Sequence, residues 1–468
     1  MLKLHRRLLL IAPILTLVLS ANSSFSPVFQ EGIQTTAEAY PGYTLFAPMS
    51  STTVYLIDND GQVVHSWETA SRPGNAVYLL ENGDLLHTGS TRSSQFTAGG
   101  GGGTVELYSW EGELLWSFEY AGDDYRLHHD VEIMPNGNVL MIAWESKTVQ
   151  EALAAGRDPS LLPEDDAGLW PDHVIEVDPN TDEIVWEWHV WDHLVQDYDP
   201  SLENFGVVAD HPELIDLNYV PGHVNSDWNH INSIDYNAEL DQIMLSVHSF
   251  SEIWIIDHST TTSEAAGHTG GNSGLGGDLL YRWGNPQAYD VGPSSDQQLF
   301  QQHDAQWITD GQPVEDNILI FNNGNRRQRA YSSVVEIIPP IDTDGMYTNI
   351  DGSAFAPEAP LWEYVAGEPT DFYADHISGA QRLPNGNTLI CDGPSGYFFE
   401  VTEDGEIVWE YEVPSSDESQ SVTVFRAERY SLDYAAFEDK DLAPQGPVPA
   451  IVGRPPGTRG PGGEGGRP

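Results

Sequence analysis

Five times along this chain a polar residue stands about eight positions before a tight turn, and a short apolar run follows the turn. The segments open at Asn75, His129, His230, His303 and Ser378, with turns at Gly83, Gly137, Asn237, Gly311 and Gly386. The runs that follow are Leu85-Leu86, Val139-Leu140-Met141, Ile243-Met244-Leu245, Ile318-Leu319-Ile320 and Thr388-Leu389-Ile390. A single strand-and-turn unit cannot bury its apolar face alone, and repetition of such units reads as a radial array. Equivalent positions in such an array converge on one axis. Histidines far apart in sequence then meet at one place.

The rest of the chain agrees with an all-β fold. Fourteen Trp and twenty Tyr suit half-buried pleated surfaces. Asp-Gly, Glu-Gly and Asn-Thr-Asp turns sit between apolar runs at 58–67, 110–116, 178–186 and 403–409 and read as hairpins. Turn chemistry accounts for their acidic residues, with calcium binding as the competing reading. Only the N-terminus and 147–155 carry helical periodicity. The five segments and a further hairpin at 43–67 predict a six-bladed β-propeller over 41–438. Its blades are unequal, with insertions at 190–227 and 258–278, the latter a Gly/Ser/Thr loop. The stretch 422–438 is expected to close the ring against the first strands.

Outside that domain, Lys3, Arg6 and Arg7 precede an apolar run at 8–19, so 1–24 reads as a signal peptide and the setting as periplasmic or secreted. An uncleaved anchor is the alternative, although twelve residues are short for a bilayer of ~30 Å. Residues 25–40 read as a linker and 439–468 as a Gly/Pro-rich tail expected to be disordered. The single Cys391 rules out an intrachain disulfide and reads as a small buried hydrophobe.

Seventy-two acidic against nineteen basic residues give a formal charge of -53, which disfavours nucleic acid or an anionic membrane as partner. A salty medium accounts for such a surface, since salt screens its self-repulsion. Any anionic substrate must then find a local cationic site. Two features offer one. His128, His129, His230 and His303 lie in or beside the repeated position, with His376 two residues ahead of Ser378. Phe321-Asn-Asn-Gly-Asn-Arg-Arg327 places Asn323 and two guanidinium groups, Arg326 and Arg327, at a strand end, a planar fork suited to sulfate, phosphate or carboxylate. Converging imidazoles also suit a transition metal, with Asp130 and Asp304 behind them. Arginine beside the site favours an anion instead.

The set HHDVEIMPNGNVL, DWNHINSIDY, HDAQ with FNNGNRR, and HISGAQRLPNGNTLICDG resembles the bacterial aryl-sulfate sulfotransferases, a six-bladed propeller family, over roughly 41–438. The resemblance implies ping-pong transfer of a sulfuryl group from an aryl sulfate to a phenol through a sulfated histidine. It implies no nucleotide sulfate donor, no cofactor and no metal. Carried over by motif, His376 is the nucleophile, His230 and His303 flank the sulfuryl group, and Arg327 (or Arg326) binds its oxygens. His128, His129, Arg326 and Asn323 line the substrate site. Two other classes remain open: a non-catalytic extracellular ligand-binding propeller, and a metal-dependent propeller lyase or hydrolase. The donor, the acceptor and the oligomeric state are not fixed by the sequence.

Overall fold

Alternating apolar and polar residues broken by Asn/Asp-Gly turns favour antiparallel meanders, and these dominate the molecule. A computed structural model of the chain describes residues 34–163, 168–220, 224–308, 316–343, 345–348 and 352–453. The signal-peptide reading and the turn at Gly311 lie outside them, as do most of the linker and the tail from 454. No helix among the described residues is long and apolar enough to cross a membrane.

The fold is all-β with a propeller-like arrangement. Six strands begin antiparallel four-stranded meanders: Pro73–Leu79, Tyr125–Ile133, Ile231–Asn237, His303–Trp307, Gly379–Arg382 and Val424–Ser431. The expected six separate blades appear only in part. The described strands make five sheets of four or more strands, because a parallel pairing of Asn75 with His129 joins two meanders into one eight-stranded sheet. A two-stranded sheet stands apart from these.

Side chains on these six strands hold the amides of the next strand in turn. Asp130 accepts from Ile234, Asp235 from Trp307, Asp304 from Ala380, Gln381 from Arg429, and the Tyr430 hydroxyl from Leu79. Tyr78 donates to Asp130 and completes the circuit. Each buried polar group is thereby satisfied by its neighbour. The ring also closes as expected, with Val424–Ser431 pairing antiparallel to Gly42–Pro48 in the first sheet. Closure is therefore noncovalent, and Cys391 is buried at 1% exposure in the apolar core.

Three expectations need correction. Residues 439–453 are held against the sheets rather than disordered: the Gln445 amide donates to Val63, and Val448 and Ile451 are buried. In the linker, Gln34–Thr35 adds an edge strand beside Ile407–Glu412. The loop 258–278 contains a one-turn helix, Thr262–Ala265, with a Thr261/Glu264 capping box. The same cap, Thr148 with Glu151, starts the helix Val149–Ala154 within the expected 147–155.

Candidate active site

The repeated polar position has a backbone cause. Asn75, His129, His230 and Ser378 all have positive φ (154°, 54°, 54° and 82°), and in the His303 repeat the next residue, Asp304, does (51°). At or beside these residues four of the strands slip register against their partners. A bulge with a left-handed residue re-aims a side chain out of the sheet. Asn, Asp and His tolerate that conformation better than most residues. The sequence repeat is therefore a row of bulges.

These bulges bring three histidines, His129, His230 and His303, into a file that His248 completes. Ring centroids are 4.6 Å apart for His129 and His230, 4.9 Å for His230 and His248, and 5.5 Å for His248 and His303. His248 was not among the residues expected. It follows Gln242–Val247, the strand paired with that of His230, and its amide donates to the His230 carbonyl. The end of a partner strand carries no repeat signal, so only pairing reveals it.

Two of the site histidines meet a carboxylate at Nδ1. His376 Nδ1 lies 2.7 Å from Asp375 Oδ1, and Asp375 Oδ2 lies 3.2 Å from Arg326. His230 Nδ1 is hydrogen-bonded to Asp227, whose other oxygen accepts from Trp144 Nε1 at 2.9 Å. A carboxylate at Nδ1 fixes the tautomer that leaves Nε2 for chemistry. His376 is one-third exposed, His230 12%.

His128, His129 and His303 are buried, and burial favours their neutral forms. His128 stacks on Trp144 at 4.0 Å, with Nε2 3.0 Å from Asp172 and Nδ1 2.8 Å from His129 Nδ1. Burial, then the surrounding histidines, hold His129 well below the ordinary histidine range, and burial does the same to His128. His303 donates from Nδ1 to Asn323 Oδ1 (2.8 Å) and accepts the Ile377 N–H at Nε2 (3.2 Å). Burial outweighs that Asn323 bond, and with the nearby cationic groups brings its pKa to about 3. Burial thus favours the neutral ring of His303 at neutral pH. It positions Ile377, the neighbour of His376.

Asn323 also takes a different part from the one expected. Its amide nitrogen donates to the Ala374 and Ile377 carbonyls at 2.8 Å, and its oxygen is occupied by His303. Every polar atom is engaged, so Asn323 shapes the segment 374–377 and has none left for substrate. Arg326 and Arg327 lie in the exposed turn after Ile318–Asn322. Arg326 reaches the Asp375–His376 pair, whereas the Arg327 guanidinium has no ion pair among the described residues.

Below the histidines lies a charged layer built on Asp130 and Asp304, joined by Arg426, which the sequence did not single out. Arg426 bridges Asp304 (2.9 Å), Asp130 (3.0 Å) and the Tyr78 hydroxyl. Burial opposes its charge, but Asp130 and Asp304 raise its pKa well above the ordinary value. The carboxyls around it exceed one cation. Burial and Asp304 push Glu428 up to about 8, and burial leads in bringing Asp235 to about 6. Sequence placed Arg426 in the ring-closing stretch without showing which carboxylates it meets.

The metal reading for the axis also shifts. Among the described residues the grouping of three ligand atoms within 4.8 Å is His193, His268 and Asp278, none of them in this file.

A propeller-like all-β domain with a file of histidines and two carboxylate–histidine pairs is the class of protein that fold and site define. The family model Arylsulfotransferase (ASST) matches residues 29–434, and the chain belongs to that family. Membership supports aryl sulfotransferase activity in general. No curated protein matches. Among solved structures, a protein of unknown function from Bacteroides caccae shares 12% identity (83% of this chain, 98% of that one, TM-score 0.44). Virginiamycin B lyase from Staphylococcus aureus shares 10% (81% and 86%, 0.36), and the WD40 domain of Toxoplasma gondii coronin 7% (85% and 74%, 0.36). Likeness this distant says nothing of activity.

Proposed function

We propose that this protein is an exported aryl-sulfate sulfotransferase that works through a sulfated His376. It counts as a six-bladed propeller when the eight-stranded sheet is read as two blades. The observation that carries the reading is the Asp375–His376 pair with Arg326 on the same carboxylate, beside the file of histidines. Asp375 keeps the proton on Nδ1, so the Nε2 lone pair attacks sulfur. The S–O bond to the donor aryl group breaks as the N–S bond forms. His230, starting protonated and backed by Asp227, gives its proton to the departing phenolate. It then takes the proton of the acceptor phenol, whose oxygen attacks sulfur and breaks the N–S bond. Both histidines return to their starting states. Arg326, with Arg327 beside it, supplies positive charge for the sulfuryl oxygens, as arginine does in phosphoryl transfer. The periplasmic or secreted location rests on the 1–24 signal-like segment.

The test is intact-protein mass spectrometry after brief exposure to 4-nitrophenyl sulfate near neutral pH, with nitrophenol release followed in parallel. A sulfuryl-sized mass gain, reversed by phenol and missing in His376→Ala, is expected. Turnover without a covalent adduct defeats the ping-pong step. Neither turnover nor adduct, over several aryl sulfates and salt concentrations, leaves a ligand-binding propeller instead.

A further inference from the structure

We propose that His193, His268 and Asp278 form a divalent-metal site of the zinc type, which clasps the two insertions of the fold together. The site stands apart from the histidine file and does not depend on the reaction assigned above. His193 follows the outer strand Glu183–His189 after a single 3-10 turn, while His268 and Asp278 belong to the loop beyond Glu252–Asp257. The Nδ1 atoms of both histidines lie 2.8 Å from the same oxygen, Asp278 Oδ1.

The bond on the far side of His193 points to an ion. Its Nε2 lies 2.8 Å from the Ala265 carbonyl, which can only accept, so the ring's proton is on Nε2. With Nε2–H committed to that carbonyl, Nδ1 faces Asp278 Oδ1, and a cation seated among the two ring nitrogens and the carboxylate oxygen would serve all three donor atoms. Donation of the outer N–H to a backbone carbonyl is the usual arrangement for a metal-bound histidine. The ring is also fixed by its neighbours. Trp188 stacks over it at 5.6 Å and 9°, and its indole N–H donates to the Gly277 carbonyl. At the Nε2 edge of the ring a Cβ at Gly277 would lie 2.7 Å from His193 Nε2 and 2.0 Å from the Ala265 carbonyl, so only glycine fits there.

The donor set selects the ion. Two imidazole nitrogens and one carboxylate oxygen suit zinc and its neighbours, whereas calcium and magnesium prefer oxygen alone. Tetrahedral zinc with bonds of about 2.1 Å spreads its ligand atoms to about 3.4 Å. The ligands must therefore part by about half an ångström. His268 has room to do so, with its side chain 59% exposed, while His193 is fully buried and Asp278 nearly so. The exposed side leaves a fourth position for water. Such a clasp suits an exported chain whose single cysteine denies it a disulfide.

The test uses the full chain without an affinity tag, incubated with zinc chloride, desalted, and assayed for metal by mass spectrometry. About one zinc per chain is expected, with His268→Ala weakening zinc binding by about 100-fold or more, since even outer partners of a metal ligand are worth 10–100-fold. His268 is exposed, so this variant keeps its fold; Asp278→Asn, provided its circular dichroism matches the wild type, should lose zinc as well. Chelation should lower the melting temperature of the wild type by about 2–5 °C and leave His268→Ala unmoved. Magnesium and calcium should not restore it. Three results overturn the proposal: no stoichiometric zinc in the wild type, one zinc retained by His268→Ala, or equal melting shifts in both proteins. The second would place the ion on the axial histidines, and the first would leave His193 and Asp278 as a plain ion pair.

Discussion

At the scale of single residues, the two kinds of histidine in this site are separated by their second nitrogen. Where Nδ1 meets a carboxylate, as in His376 with Asp375, the ring is oriented and its Nε2 is left for reaction. Asp375→Asn keeps the size of the side chain but not its charge or its preference for an N–H donor. We expect turnover of 4-nitrophenyl sulfate to fall about 10²–10⁴-fold with unchanged circular dichroism; a rate within twofold of wild type would refute an orienting role. Where both nitrogens are consumed inside the protein, as in His303, the histidine contributes to stability. Its folded pKa of about 3 lies below the ordinary value, so the folded state binds fewer protons between about 3 and 6.5. The stability it supplies is complete above about 6.5 and is lost as pH falls towards 3. His303→Gln should be destabilised at pH 7.5, with the deficit shrinking by about 1.4 kcal/mol per unit as pH drops below 6.5. Urea midpoints from pH 7.5 to 4 measure that gap, and a gap constant with pH would show that His303 does not resist protonation.

At the scale of strands and turns, the repeated P-N-G-N signature has a partner that its own sequence does not reveal. The last asparagine of the turn donates to a buried glutamate two strands away: Asn138 to Glu176, and Asn387 to Glu400. Asn317 does the same with Glu336 in the His303 repeat, which lacks the motif. Each glutamate also holds a cation from the next meander: His258 on Glu176, Arg429 on Glu400 and Arg382 on Glu336. Turn, core and neighbouring sheet thus meet on one carboxylate. Removing Glu400 strands Arg429, whose side chain is wholly buried, and a broken buried pair costs about 3–5 kcal/mol. Glu400→Ala should lose about that much in urea unfolding, and a loss under 1 kcal/mol would mean that the turn is held by other contacts. The turns, the hairpins and the closing strand were legible because each is a local pattern of period two bounded by Gly, Asn and Asp. The converging histidines were legible because the bulge recurs in sequence. His248, Arg426 and the glutamate pairs were not, because their meaning depends on which residue faces them across a strand or sheet. The number of separate sheets was hidden for the same reason, since a single pairing at Asn75 decides whether two meanders join. Arg326 and Arg327 are adjacent and chemically alike, so only the position of Asp375 tells them apart.

At the scale of the whole molecule, charge governs both stability and access. The formal charge of -53 includes all nineteen Lys and Arg, yet Arg126, Arg157, Arg282, Arg382 and Arg429 are buried. The surface is therefore poorer in cations than composition suggests, and the field outside the site is negative almost everywhere. Two consequences share one cause. Self-repulsion weakens the compact state, and the same field opposes the approach of an anionic aryl sulfate. Raising salt from about 0.01 M to about 1 M shortens the screening length from about 30 Å to about 3 Å. The buried pairs Arg282–Glu252 and Arg429–Glu400 lie out of solvent and should barely respond, so screening should act on the surface repulsion. The melting temperature is expected to rise across that range. With 4-nitrophenyl sulfate as donor, KM should fall while kcat changes little, because approach is affected and the chemical step is not. Differential scanning fluorimetry and initial rates at matched pH measure the two effects, with an uncharged solute at equal osmolality as control. A KM that rises with salt would reverse the argument, since it would mean that Arg326 and Arg327 draw the donor in strongly enough to override the surrounding field.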